Sequence, residues 1–177
     1  MAILVGFICF VVVEHIESGT GRSQFPQTKP SSLPIGAIAP GFSLSRLGGG
    51  STVSLATGHG EPVMVNFFAS WCTDCRQELR AVAQVAVATS GKLAVIGVDT
   101  SDTNPQTAER LLAKAGATYP VGEDPRASTA AKYKITGLPV TFFLSSSRRI
   151  EGVAFGPQTR ASLERWARRL TARATSP

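Results

Sequence analysis

The stretch VMVNFFASWCTDC, residues 63–75, decides the fold of this chain. The apolar run at its start has the length and composition of a buried strand, and a helical pattern follows the C-x-x-C motif. The first cysteine, Cys72, therefore stands where a strand delivers it to a helix N-terminus. Unpaired N–H groups and the helix dipole stabilise a thiolate there, which lowers the pKa of the thiol. Cys75 lies one turn later on the same side, where it can attack a mixed disulfide formed by Cys72.

Two other interpretations of the cysteine pair are weaker. A structural zinc site usually joins C-x-x-C to a second pair of ligands, and the remaining residues of that kind, Cys9, His15 and His59, do not form one. A purely structural disulfide over so short a loop stabilises little through loop entropy. The pattern therefore predicts redox chemistry without a metal or a cofactor.

Three segments, VNFFASWC at 65–72, APGFSL at 39–44 and GLPVTFFL at 137–144, carry a resemblance to a known family. They are similar to segments of the TlpA/ResA-like thiol–disulfide oxidoreductases of the thioredoxin superfamily. VNFFASWC (residues 65–72) resembles their strand and active-site loop, and APGFSL (39–44) resembles their entry strand, which peroxiredoxins share. GLPVTFFL (137–144) resembles their loop with a cis-proline that faces the active-site disulfide. The resemblance covers about residues 36–170, in the family's order. It implies an α/β, thioredoxin-like fold: a central mixed β-sheet flanked by helices, with an N-terminal β-hairpin extension.

The pattern along the chain agrees with that fold, because strands alternate with helices as in an α/β sandwich. Strands are predicted at 42–44 and 53–55, as a hairpin, and at 63–68, 93–98, 140–144 and 150–155. Helices are predicted at 73–88, 105–114, 127–133 and 159–174. Asn104 is the expected N-cap of the second helix.

The N-terminal residues indicate export and tethering. The apolar run at 2–13 has the length of a signal segment and is short for a membrane span. We expect a signal or membrane-anchor segment at 1–17, a flexible linker at 18–35 and the thioredoxin-like domain at 36–177. A buried core helix is the alternative for the first segment. The predicted location is the bacterial cell envelope, outside the cytoplasm, as a membrane-anchored or secreted protein.

The net charge of +6 raises the question of nucleic acid binding. The basic residues form no tract interleaved with aromatic side chains, and they concentrate late in the chain. They fit a solvated helix face, with a surface for anionic lipid or a protein partner as the alternative. Nucleic acid is not an expected partner.

The resemblance assigns Glu78 to the proton chemistry of the disulfide. A partly buried carboxylate at this position could accept the proton of Cys75 as its sulfur attacks. A solvated glutamate on the helix surface is an equal alternative. Thioredoxin has a buried aspartate where this chain has Asn66, and an amide cannot titrate. That role is therefore either absent here or moved to Glu78.

The resemblance also predicts how a partner is bound. A cis peptide bond before Pro139 would expose the backbone of Leu138 as an edge for pairing with a partner. Trp71 is expected to pack as a lid beside the disulfide. Asp74 departs from the family, which commonly has proline before the second cysteine. A carboxylate near Cys72 disfavours the thiolate and makes the pair a better reductant, whereas a solvent-facing one changes little.

These features predict a protein-disulfide reductase that acts through a Cys72–Cys75 dithiol. The family context implies partners that include apocytochrome c and oxidase-assembly factors, an upstream membrane thiol reductase, and membrane association through the N-terminal segment. A peroxiredoxin-like peroxidase, a disulfide oxidant or isomerase, and a non-catalytic adaptor of the same fold remain alternatives. Copper delivery is not expected, since the motif is not C-x-x-x-C and no histidine follows His59.

Overall fold

The computed structural model describes residues 33–57 and 60–174 of the chain. The predicted anchor at 1–17 and all but the end of the predicted linker at 18–35 lie outside these residues. Across 33–57 and 60–174, every helix is too short or too polar to span a bilayer.

An antiparallel hairpin precedes the main sheet. Its strands are β1 (Ser43–Leu44) and β2 (Val53–Ser54). The loop between them contains three consecutive glycines at 48–50, all with positive φ, a conformation that glycine adopts without steric cost. The predicted hairpin extension is confirmed, although Leu55 begins a 3-10 turn instead of ending the second strand.

The central sheet has five strands in the order β5-β4-β3-β6-β7. They are β3 (Val63–Phe68), β4 (Ala94–Thr100), β5 (Val121–Asp124), β6 (Val140–Leu144) and β7 (Ile150–Phe155). The first three are parallel to one another, whereas β6 is antiparallel to β3, and β7 to β6. The sheet is therefore mixed, as predicted, and the carboxyl ends of β3 and β4 meet at one edge.

Helices cover both faces of this sheet. They are α1 (Thr73–Ala88), α2 (Pro105–Ala115), α3 (Ser128–Lys132) and α4 (Arg160–Ala174). Apolar residues of α1, α2 and α4 pack on one face. On the other face Phe67, Tyr133 and Phe142 form a cluster with ring centroids 4.9 to 5.9 Å apart. Burial of each ring stabilises the fold by about 1.5–3 kcal/mol.

Helix α4 is held by an aromatic stack. Trp166 lies flat on Phe143 of β6, with ring centroids 4.5 Å apart. Its indole fills the space over Gly152 of β7, where a Cβ atom would collide with the ring. Leu163 and Leu170 are buried on the same side of this helix, which therefore presents an apolar stripe to the sheet.

Two local features differ from the sequence prediction. Strand β5, with the sequence VGED, was not predicted, because its short polar pattern carries no strand periodicity. Asn104 does precede the first residue of α2, but its side chain makes no capping hydrogen bond. Pro105 follows at the first helical position, where its lack of an N–H leaves one donor fewer to satisfy.

Candidate active site

The two cysteines of the motif form a disulfide at the N-terminus of α1. Cys72 is the N-cap residue and Cys75 lies in the first turn, with their Cα atoms 5.3 Å apart. The backbone N–H of Cys75 donates a hydrogen bond to Sγ of Cys72 at 3.1 Å. Cys72 keeps 8% of its surface exposed and Cys75 none. A partner sulfur can therefore reach Cys72 more easily than Cys75.

Glu78 is buried behind the disulfide, one turn after Cys75, with only 1% of its surface exposed. The hydroxyl of Thr141 donates to its Oε1 at 3.2 Å, and the amide of Asn66 donates to its Oε2 at 3.4 Å. The same amide donates to Oγ1 of Thr141 at 2.9 Å. Asn66 and Thr141 face each other across β3 and β6. The carboxyl group thus sits on a polar row inside an otherwise apolar sheet face.

Burial raises the pKa of the Glu78 carboxyl from 4.5 to about 7. Hydrogen bonds from Thr141, Asn66 and the backbone of Gln158 oppose this effect, because they favour the ionised form. The cost of removing the ionised carboxylate from water is larger than the effect of these hydrogen bonds. Glu78 is therefore a buried carboxyl group, and the alternative of a solvated glutamate on the helix surface is wrong. It can exchange a proton near neutral pH.

Trp71 does not pack as a lid, and that expectation is wrong. Its side chain is 58% exposed, and its indole N–H donates to the carbonyl of Ser101 at 3.2 Å. Ser101 has a left-handed backbone with φ 58°, which is uncommon outside glycine and asparagine. The loop after β4 thus holds the indole at the surface beside the disulfide.

The peptide bond between Leu138 and Pro139 is cis, as predicted. Leu138 is partly buried against the apolar cluster that contains both cysteines. A depression of about 270 Å³ lies along this loop, and residues 136–140 line it together with Phe155 and Gly156. Phe155 is 39% exposed. The loop and the disulfide therefore adjoin an open surface with apolar side chains.

Asp74 lies exposed in the first turn of α1. A carboxylate at this position interacts favourably with the positive end of the helix dipole. Within residues 33–57 and 60–174, no three His, Cys, Asp or Glu side chains converge in a way that could hold a metal ion.

Sequence reasoning missed several polar residues of the site. One of them is Thr141. It lies two residues after Pro139 on a buried strand, and this position was the signal that could have identified it as a residue of the site. Ser70 and Asp102 are two more: the Asp102 carboxylate accepts hydrogen bonds from the backbone N–H and the hydroxyl of Ser70. The carboxyl ends of parallel strands meet at one edge, so an aspartate just after β4 was a candidate for contact with the active-site loop.

A thioredoxin-like fold with a C-x-x-C disulfide at the first turn of α1 defines a thiol–disulfide oxidoreductase of the thioredoxin superfamily. The chain belongs to the AhpC/TSA family, whose model matches residues 35–153. It is similar to "Thioredoxin-like protein YneN" of Bacillus subtilis, with 30% identity over 91% of this chain and 94% of that protein. It is also similar to "Thiol-disulfide oxidoreductase ResA" of Oceanobacillus iheyensis, with 26% identity over 93% of this chain and 82% of that one.

A solved structure agrees with these relatives. A DsbF homologue from Corynebacterium diphtheriae superposes with a TM-score of 0.71 and 26% identity, covering 82% of this chain and 96% of that one. The predicted thioredoxin-like fold and the resemblance to ResA-like proteins are confirmed. The enzyme is a thiol–disulfide oxidoreductase.

Proposed function

We propose that this protein reduces disulfides in partner proteins outside the cytoplasm, with Cys72 as the nucleophile. The observation that carries the proposal is the asymmetry of the pair. Cys72 is the partly exposed N-cap residue of α1 and its sulfur accepts an N–H donor, whereas Cys75 is fully buried. The donor and the helix dipole stabilise negative charge on the sulfur that a partner can reach.

The reaction has two exchange steps. The thiolate of Cys72 attacks one sulfur of the partner disulfide, forms a mixed disulfide and releases the other partner sulfur as a thiolate. Cys75 then loses its proton and attacks Sγ of Cys72, which restores the Cys72–Cys75 disulfide and releases the second partner sulfur. Two electrons pass from the pair to the partner. An upstream thiol reductase returns the oxidised pair to the dithiol form.

Glu78 is the proposed acceptor of the Cys75 proton. It follows Cys75 by one helical turn, and a carboxyl group with a pKa of about 7 has a large ionised fraction at neutral pH. Glu78→Gln should therefore change the pH profile of reductase activity between about pH 5 and 9. An unchanged profile would remove Glu78 from the reaction.

Partner binding is assigned to the surface beside the disulfide. Trp71 offers an exposed ring, and the backbone of Leu138, next to Pro139, lies along an open depression. An extended partner segment could pair with this backbone while its side chains contact Trp71 and Phe155. Trp71→Ala should weaken the reaction with a protein disulfide far more than the reaction with a small disulfide.

Apocytochrome c and oxidase-assembly factors are the proposed partner classes, with an upstream membrane thiol reductase as electron donor. The resemblance to ResA-like oxidoreductases supports these partners.

The domain division of the sequence also belongs to the proposal: an apolar segment at 1–17 for export or anchoring, a linker at 18–35 and the catalytic domain at 36–177. These features support a proposed location in the cell envelope.

Trapping tests the central assignment. In cells, Cys75→Ser should accumulate mixed disulfides between Cys72 and its partners, and the matched Cys72→Ser variant should accumulate few. Mass spectrometry of the trapped species identifies the partners. Equal trapping by both variants, or faster alkylation of Cys75 than of Cys72 in the reduced protein, would overturn the nucleophile assignment.

The direction of electron flow has its own test. Equilibration with a dithiothreitol buffer should give a potential closer to that of thioredoxin, about −270 mV, than to that of DsbA, about −120 mV. A potential near the second value would favour disulfide introduction instead.

A peroxidase is the second candidate, because the AhpC/TSA family model matches the chain. The C-x-x-C disulfide and the names of the relatives favour thiol exchange. Turnover of hydrogen peroxide by the reduced protein, at a rate above its reduction of protein disulfides, would favour the peroxidase.

A further inference from the structure

The loop after β4 holds the residues that lead into Cys72. The carboxylate of Asp102 accepts the backbone N–H of Ser70 at 2.6 Å through Oδ2, and the hydroxyl of Ser70 at 2.9 Å through Oδ1. The carbonyl of Ser101 accepts the indole N–H of Trp71. Asp102 and Ser101 therefore hold the backbone N–H of Ser70 and the side chains of Ser70 and Trp71, just before the nucleophile.

A second carboxyl group lies beneath this contact. Asp99, near the end of β4, is only 3% exposed, and its side chain lies within hydrogen-bonding reach of Asp102. Within the described part of the chain, no donor reaches its buried Oδ1. A buried carboxylate with an unsatisfied oxygen next to another carboxylate is costly, whereas a neutral carboxyl group can donate to its neighbour. The geometry therefore favours the protonated form of Asp99.

The carboxylates of Asp102 and Glu123 act in the same direction. Burial is the largest cause of its raised pKa, about 8, followed by the charge of Asp102 and that of Glu123 on β5. The elements that pack over this end of the sheet also carry two groups of opposite charge, Glu109 of α2 and Arg46 on the segment bridged to Gly122 of β5. Loss of the Asp99 proton would place a second negative charge against Asp102.

We propose that Asp99 is a positioning residue for the redox site: its protonated carboxyl group donates a hydrogen bond to Asp102, and this bond keeps Asp102 on Ser70. The protonated pair holds Ser70, Trp71 and Cys72 in the geometry that a partner meets. When Asp99 loses its proton, its negative charge repels the Asp102 carboxylate from Ser70, and the active-site loop loosens. The functional part of this inference rests on the proposed role of Cys72 as nucleophile.

The test follows the Trp71 indole in the oxidised protein, where neither cysteine titrates. The ¹⁵N–¹H resonance of this indole is assigned with Trp71→Phe and recorded from pH 6 to about 9.5. The wild-type protein should show a transition with a midpoint near pH 8. Asp99→Asn should abolish it and keep the low-pH chemical shift, because an amide still donates to Asp102 but does not titrate.

Two further variants distinguish the titration of Asp99 from the titration of other carboxyl groups. Glu78→Gln should leave the transition in place, since Glu78 is a different titrating group. Glu123→Gln should move the midpoint to lower pH, because it removes a like charge that favours the protonated form. A transition that survives in Asp99→Asn, or the absence of any transition in the wild-type protein, would overturn the inference.

A kinetic measurement connects the pair to reactivity. The rate at which Asp99→Asn reduces a model disulfide, divided by the wild-type rate, should rise between pH 7 and pH 9, because the amide keeps its hydrogen bond to Asp102 when the wild-type carboxyl group has lost its proton. Asp102→Asn should slow the reaction by about tenfold at both pH values, because an amide replaces the charged acceptor of the Ser70 bonds. A wild-type rate in Asp102→Asn would contradict the positioning role. If no variant and no wild-type protein reduces disulfides, the proposed function fails while the resonance titration still decides the role of Asp99.

Discussion

Replacement of Glu78 by glutamine should remove a large part of the pH dependence of stability. The carboxyl group titrates near 4.5 when exposed, whereas burial raises its pKa to about 7 in the folded protein. The folded state therefore holds a proton that the unfolded chain has released. The stabilisation from the protonated group is complete below about pH 4.5 and is lost as the pH rises through 7.

The size of the effect follows from the two pKa values. One pKa unit corresponds to about 1.4 kcal/mol, so the full loss is roughly 3 kcal/mol. Most of it, about 2–3 kcal/mol, falls between pH 5 and 8. Glutamine has nearly the same shape and can still accept the hydrogen bond from Thr141, but it does not titrate.

Urea unfolding of the oxidised protein at pH 5 and pH 8 measures this difference. The free energy of unfolding should fall by about 2–3 kcal/mol more in the wild-type protein than in Glu78→Gln. Asp99 contributes a loss of the same sign to both proteins, and it cancels in the comparison. Glu109→Gln, at an exposed position of α2, is the control and should behave as the wild-type protein. Equal pH dependence in wild type and Glu78→Gln would refute the argument that burial sets this pKa.

Three further predictions concern separate parts of the domain. If the Asp74 carboxylate lies near Cys72 in the reduced protein, Asp74→Asn should raise the redox potential by some tens of millivolts, at about 30 mV per pKa unit; an unchanged potential in a dithiothreitol titration would remove this electrostatic reason. Thr141→Val should raise the pKa of the Glu78 carboxyl further, because a hydrogen bond that favours the ionised form is lost; carbon-detected NMR titration measures it, and a lower pKa would contradict the reasoning. Gly152→Ala should destabilise the protein by about 1–3 kcal/mol, since Trp166 occupies the space of the new methyl group. Gly41→Ala, where a Cβ meets no atom within 4 Å, is its control in urea unfolding, and equal stability of the two variants would contradict the packing argument.

The redox motif was predictable because its geometry is local. An apolar strand, a short loop and a helix are all encoded within residues 63–88, so the position of Cys72 at the helix start and of Cys75 one turn later followed from helical periodicity. The cis bond before Pro139 followed from the resemblance of its neighbours. The structure places both as predicted.

The surroundings of the motif were less predictable. Trp71 was expected to pack, and its exposure depends on the loop after β4, whose Ser101 carbonyl accepts the indole N–H. The edge strand β5 has no apolar alternation to mark it, and its place beside β4 brings Glu123 toward Asp99. Neither contact leaves a periodic signal in the sequence.

The amino-acid sequence by itself determined the class of protein and the two reacting sulfurs, because cysteine spacing on a helix is set by backbone geometry within one turn. Only the tertiary structure decided which carboxyl groups hold protons near neutral pH. Glu78 gains its raised pKa from burial under a sheet whose Thr141 lies 63 residues away. Removal of water from a carboxyl group depends on distant segments that pack around it, and no local pattern records that packing.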